Sequence, residues 1–156
     1  MRRTIGKALA VLAVVTAVAF SADNSVGTWK LNLDKSKYTP APMPVKSLTV
    51  IRETSDGGIK VTIKGEQADG TPIDATYTAK YDGTESQVTG NSPYDTVSIK
   101  QVNANTLTDQ RKKAGGPYQA TGRTVISNGG KTMTTTARGT NTAGKPFTST
   151  FVFEKQ

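Results

Sequence analysis

The chain has 156 residues, one domain's worth, and a formal charge of +8. It contains no Cys and no His, which removes disulfides, thiolate chemistry, Cys/His zinc sites and every Ser-His or Cys-His catalytic arrangement. Hydrophobic residues make up only 35%, while Thr is spread from end to end.

Residues 1–22 differ from everything that follows. Arg2, Arg3 and Lys7 form a basic start, and Ala8 to Phe20 is an uncharged apolar run. As a helix that run spans ~20 Å, short of the ~30 Å hydrocarbon layer. Small residues then stand at cleavage spacing, as Ala17-Val18-Ala19 or Ala19-Phe20-Ser21. This pattern predicts a secretory signal peptide over 1–22 and one mature domain over 23–156. The expected location is therefore exported, periplasmic or extracellular, without a membrane span in the mature chain. No Cys follows the apolar run, so a lipid-anchored form is excluded.

Without the signal, 17 Lys and Arg face 12 Asp and Glu, a net of +5. The densest cluster, Arg111-Lys112-Lys113, adjoins a Gly-Gly-Pro turn and has no interleaved aromatics on which bases could stack. It reads as a solvated turn, and no nucleic-acid partner is expected.

Along the mature chain the recurring signal is apolar/polar alternation over five to nine residues. Ile59, Val61 and Ile63 alternate with Lys60, Thr62 and Lys64; Ile73, Ala75, Tyr77, Ala79 and Tyr81 do the same with polar neighbours. Asp56-Gly57-Gly58, Asp69-Gly70, Asp82-Gly83 and Asn128-Gly129-Gly130 separate the runs, and such pairs tolerate the positive φ of tight hairpins. About ten strands result, at 26–33, 46–54, 58–65, 71–81, 85–89, 94–103, 105–113, 117–127, 131–139 and 146–154. A meander of that many strands with one apolar face must close on itself or form two layers. The connection 34–45, with Pro40, Pro42 and Pro44, is expected to be extended. The chain also echoes itself: Lys64-Gly65 and Gly70-Thr71-Pro72-Ile73 return 74 residues later as Arg138-Gly139 and Gly144-Lys145-Pro146-Phe147. Either two similar three-strand units, 46–81 and 120–155, or convergence of hairpins on one turn type accounts for it.

Gly27-Thr28-Trp29-Lys30 opens the first strand, and Phe151-Val152-Phe153-Glu154-Lys155 ends the last. With about ten Gly-punctuated strands between them, these segments give a chain that resembles the calycin superfamily. It looks more like ten-stranded fatty-acid-binding proteins than eight-stranded lipocalins, and like small secreted lipocalin-like bacterial proteins of unknown function. The resemblance implies an all-β antiparallel meander closed into a barrel. It implies Trp29 as a plug at one end, with a late-strand cation, Arg123 or Arg138, packed over its ring. Two features depart from the fatty-acid-binding pattern. The 34–45 segment is too short and proline-rich for a helical lid, and the last strand has Phe151-Val152-Phe153 where Arg-x-Tyr would hold a carboxylate.

Little in the chain points to catalysis. No carboxylates pair at a useful spacing, no Gly-x-Ser-x-Gly elbow exists, and the Asp-Gly turns lack the alternating Asp that gathers calcium. Asp95 and Asp109 fall in predicted strands and are expected at exposed edges. No enzyme activity, metal or cofactor is expected. The leading expectation is a monomeric barrel that binds a small apolar or amphipathic ligand. Its lining would come from Ile63, Tyr77 and Tyr81 in the first half, with Ile99, Met133, Phe151 and Phe153 later. The alternatives are a secreted interaction module with a filled core, or a protein held to anionic envelope polymer by its charge.

Overall fold

The computed structural model describes residues 22–156, so the proposed signal, up to residue 21, lies outside the described residues. Eleven antiparallel strands form one sheet: β1 (Gly27–Thr39), β2 (Val45–Ser55), β3 (Gly58–Gln67), β4 (Pro72–Lys80), β5 (Ser86–Gln87), β6 (Thr89–Asn91), β7 (Thr96–Asn103), β8 (Thr106–Lys112), β9 (Gln119–Ser127), β10 (Thr132–Thr140) and β11 (Pro146–Lys155). Their order, β5-β7-β8-β9-β10-β11-β1-β2-β3-β4-β6, is a meander rolled until its ends meet. The all-β barrel expected from alternation is present. No helix among the described residues is long and apolar enough to cross a membrane.

The ends meet in an unexpected way. The predicted strand 85–89 is two short strands: β5 pairs with β7 and β6 pairs with β4. Val88 lies between them, and its N–H reaches Asp95 O at 2.8 Å. One stretch of chain thus serves both edges of the sheet and leaves no long open edge.

The first strand also extends further than expected. It pairs with β11 over Trp29–Asn32, breaks register, and pairs again over Lys37–Thr39. Ser36 fills the break: its Oγ donates to Asn32 O at 2.6 Å and accepts from Val152 N at 3.0 Å. Asn32 Oδ1 accepts from Lys35 N, and Lys35 Nζ meets Glu154 at 3.0 Å. The expected 34–45 connection shrinks to residues 40–44, because this bulge absorbs the misfit and lets the ladder resume.

The internal echo has a structural counterpart. In β2-β3-β4, Gly65 faces Ile73; in β9-β10-β11, Gly139 faces Phe147. The two hairpin turns share a bonding pattern: Gln67 N to Thr71 O with Gly70 N to Gln67 O, and Asn141 N to Lys145 O with Gly144 N to Asn141 O. A Cβ at Gly65 would sit 2.1 Å from Ser47 O, and one at Gly139 only 1.9 Å from Gln119 O. Both units need glycine where the middle strand presses against the strand before it.

Apolar side chains from alternate positions fill the inside, and the main cluster gathers around Trp29, Ile59, Val61, Val97 and Ile99. A smaller group of Ala120, Ala137 and Phe147 lies toward the other end.

Candidate functional site

One end of the barrel is sealed. Trp29 is fully buried, and its indole N–H donates to Ser25 O at 2.8 Å. The cation above it is Lys155, with Nζ 5.3 Å from the ring centroid. Arg123 and Arg138, expected in that role, lie exposed on the outer faces of β9 and β10. Lys155 takes this place because it is the direct cross-strand partner of Trp29. Gly27 makes room for it, since a Cβ there would approach Lys155 Cε to 2.6 Å. The spacing of glycine and tryptophan in the opening strand thus follows from the lysine that crosses it.

Beneath Trp29, residues 22–26 are laced across this floor. Asn24 N donates to Ala104 O at 3.0 Å, and Asn24 Nδ2 donates to Asn105 Oδ1 at 2.7 Å. Ser25 Oγ donates to Asp23 Oδ1 at 2.6 Å and accepts from Arg52 Nε at 3.0 Å. The Tyr81 hydroxyl also donates to Asp23. Tyr81 therefore belongs to the floor and does not border the interior space, contrary to the expected lining.

Above the floor is a cavity of about 350 Å³. The other six expected residues, Ile63, Tyr77, Ile99, Met133, Phe151 and Phe153, all border it. Its far end is ringed by Pro44, Gln67, Asn91, Pro93 and Asn141, from the turns opposite Trp29.

Sequence reasoning missed the polar part of the wall. Arg52 follows Leu48 and Val50 on the inward side of β2 and is 7% exposed. Asp109 and Arg111 follow Leu107 on β8 and form an ion pair at 2.6 Å, with side chains only 11% and 21% exposed. Asp109 is thus an interior group and not an exposed edge residue. Gly122 faces it across the ladder, and a Cβ there would come within 2.4 Å of Asp109 Oδ1. Of the basic cluster 111–113, only the lysines face solvent; Lys112 pairs with Glu85 and Lys113 lies 3.8 Å from Asp95.

Toward the mouth, four rings stand in a row. Tyr38 stacks on Phe147 at 5.5 Å, Phe147 on Tyr118 at 6.1 Å, and Tyr118 on Tyr94 at 5.8 Å. Arg111 ends the row, 5.6 Å from the Tyr94 centroid. Such stacking adds about 0.5–1.5 kcal/mol per pair beyond simple burial and stiffens this side of the wall.

Burial raises the pKa of Tyr77, Tyr94 and Tyr118; it is opposed at Tyr77 first by Arg52 and then by Arg111, and at Tyr94 and Tyr118 by Arg111. Tyr81 is pushed up to about 12, first by burial and then by its bond to Asp23. Each of these four tyrosines keeps its proton above pH 10, where the unfolded chain has begun to lose it. Their contribution to stability is complete below pH 10 and falls as pH rises from there toward 12. Urea midpoints measured from neutral pH to about 12 should hold level and then drop steeply above 10. A level midpoint throughout would contradict this burial.

No protein-family model matches the chain, and no curated protein matches it. Among solved structures, a redesigned β-barrel, mFAP1, bound to DFHBI, is similar over 82% of this chain and 94% of that one, at 17% identity and a TM-score of 0.41. At that score the likeness carries nothing about function, and the barrel assignment stands on the strand ladder itself.

Proposed function

We propose that the protein is an exported, non-enzymatic, monomeric barrel that binds a small amphipathic molecule in its interior. The cavity carries this reading: about 350 Å³, bounded by aliphatic and aromatic side chains with a few polar groups among them. Small-molecule sites have that composition, and their volumes begin near ~300 Å³. The basic apolar segment at the N-terminus supports export, and the absence of His and Cys supports a role without catalysis. Edge strands of two and three residues, joined through Val88, support a barrel that works alone. The inward turn of Arg111 and the pairing of its lysine neighbours support a surface without a nucleic-acid site. The Gly27-Thr28-Trp29 floor with Lys155 above it supports kinship with secreted lipocalin-like bacterial barrels.

N-phenyl-1-naphthylamine, an uncharged dye that brightens on leaving water, tests the proposal. The dye should brighten with the wild-type protein and stay dim with Ala75→Phe, which fills the space from β4. Circular dichroism should show the strands of that variant intact. No enhancement with the wild type, or equal enhancement with the filled variant, would favour a packed core that acts through its surface.

A further inference from the structure

Nearly all the polar groups of the interior wall are already matched. Arg111 has Asp109, and the Thr124 and Thr135 hydroxyls meet each other at 3.0 Å. Arg52 differs. Its Nη2 is buried without a hydrogen-bond partner, the one such side-chain nitrogen or oxygen among the described residues. It takes part in none of the five ion pairs found there. Its Nε is spent on the Ser25 hydroxyl, which stands between it and Asp23. Asp23 in turn accepts from Ser25 N, Ser25 Oγ and Tyr81. A guanidinium is always charged, and leaving one of its donors buried and unmatched is costly. The cavity wall thus carries two cations, Arg52 and Arg111, and one carboxylate, Asp109, which is paired with Arg111.

We propose that the cavity floor is an anion subsite, in which Arg52 receives the carboxylate of a compact, apolar or aromatic ligand. The proposal deepens the interior-binding function above and rests on it. The Arg52 donor completes its bonding, and the interior charge becomes balanced. Tyr77, on β4 in line with Arg52 across Val61, stays protonated because burial raises its pKa against the opposing charge of Arg52, so its hydroxyl can donate to the same carboxylate. The body of the ligand then lies between Val50, Ile63 and Phe151, below the ring row of the mouth. The last strand offers Phe151 and Phe153 to the interior, which directs an acidic head to the floor. The volume equals that of about a dozen waters, which favours a compact molecule over a long chain.

The test is a pair of near-isosteric probes, 2-naphthoate and its uncharged analogue 2-acetylnaphthalene, titrated calorimetrically into the purified protein. Naphthoate should bind about 10- to 100-fold more tightly than the ketone, the range expected of a buried charge-assisted hydrogen bond. Arg52→Met, an apolar residue of similar length, should abolish that preference, so that naphthoate binds no more tightly than the ketone. Arg123→Met, which removes an exposed cation, should keep the preference. If neither probe binds the wild type, the interior-binding function itself fails and the subsite with it. If the ketone binds and naphthoate binds no better, the subsite is wrong while the cavity function stands. A preference that survives in Arg52→Met also overturns it. Should Arg52→Met not fold, the wild-type preference and the shift of the Arg52 Nε resonance on adding naphthoate decide: no preference, or no shift, overturns the proposal.

Discussion

Replacing Trp29 with Ala is expected to cost about 3–5 kcal/mol of folding stability, the range for removing a large buried aromatic. Trp29 is fully buried at the one place where β1, β2 and β11 and the 22–26 segment converge. Its loss would open the floor, strand the carbonyl of Ser25 and remove the ring beneath Lys155. Trp29→Phe should recover most of the packing and forfeit the indole hydrogen bond, a net cost nearer 1–2 kcal/mol. Urea unfolding followed by circular dichroism measures both, since the chain has no other tryptophan to report by fluorescence. A cost below about 1 kcal/mol for Trp29→Ala would mean that this end is not where the barrel is held shut.

The second large effect is expected at the interior ion pair. Asp109→Ala leaves Arg111 inside the barrel without its carboxylate, and breaking a buried pair from one side typically costs about 3 kcal/mol or more. Removing both charges, as Asp109→Leu with Arg111→Met, should cost clearly less than the single change, because apolar replacements leave no orphan behind. Gly122→Ala reaches the same pair without touching either charge, by placing a methyl group 2.4 Å from Asp109 Oδ1. A double-mutant cycle gives the coupling directly. If Asp109→Ala and the double replacement unfold at the same urea concentration, the pair does not act as a unit.

Much of this architecture was legible in the sequence, for local reasons. Alternation of period two and Asp-Gly or Asn-Gly turns are properties of neighbouring residues, so nine of the strands and the hairpins between them could be placed. The closing segment could not. Nothing within residues 86–91 says that one half pairs with β7 and the other with β4, because pairing is a property of the whole sheet.

Site residues divide in the same way. Parity found six members of the cavity wall and failed for Tyr81, since it tells inside from outside but not height along the barrel axis. Parity also held the answer to the plug. Lys155 shares the inward phase of Phe151 and Phe153, whereas Arg138 follows the inward Ala137 and Arg123 precedes the inward Thr124. The resemblance to a family suggested an arginine, and the phase of the strands pointed to the lysine. The inward placement of Arg52, Asp109 and Arg111 escapes a sequence reading because polar residues in a half-wet sheet normally face out. Their signal was the exception to that rule: Asp109 and Arg111 stand two apart, in phase with the apolar Leu107, and Arg52 is in phase with Leu48 and Val50. Tyr94 and Tyr118 stand at the starts of the expected strands 94–103 and 117–127, but β7 begins at Thr96 and β9 at Gln119, so the strand period does not extend to them.

On the proposed function, the barrel interior holds a small molecule. Native mass spectrometry of the protein taken from the cells that make it, without detergent, tests this most directly. A bound ligand should add a reproducible mass of a few hundred daltons, roughly what a cavity of this size accepts, released on denaturation. A bare polypeptide mass, from a protein that also fails to brighten an uncharged dye, would contradict it.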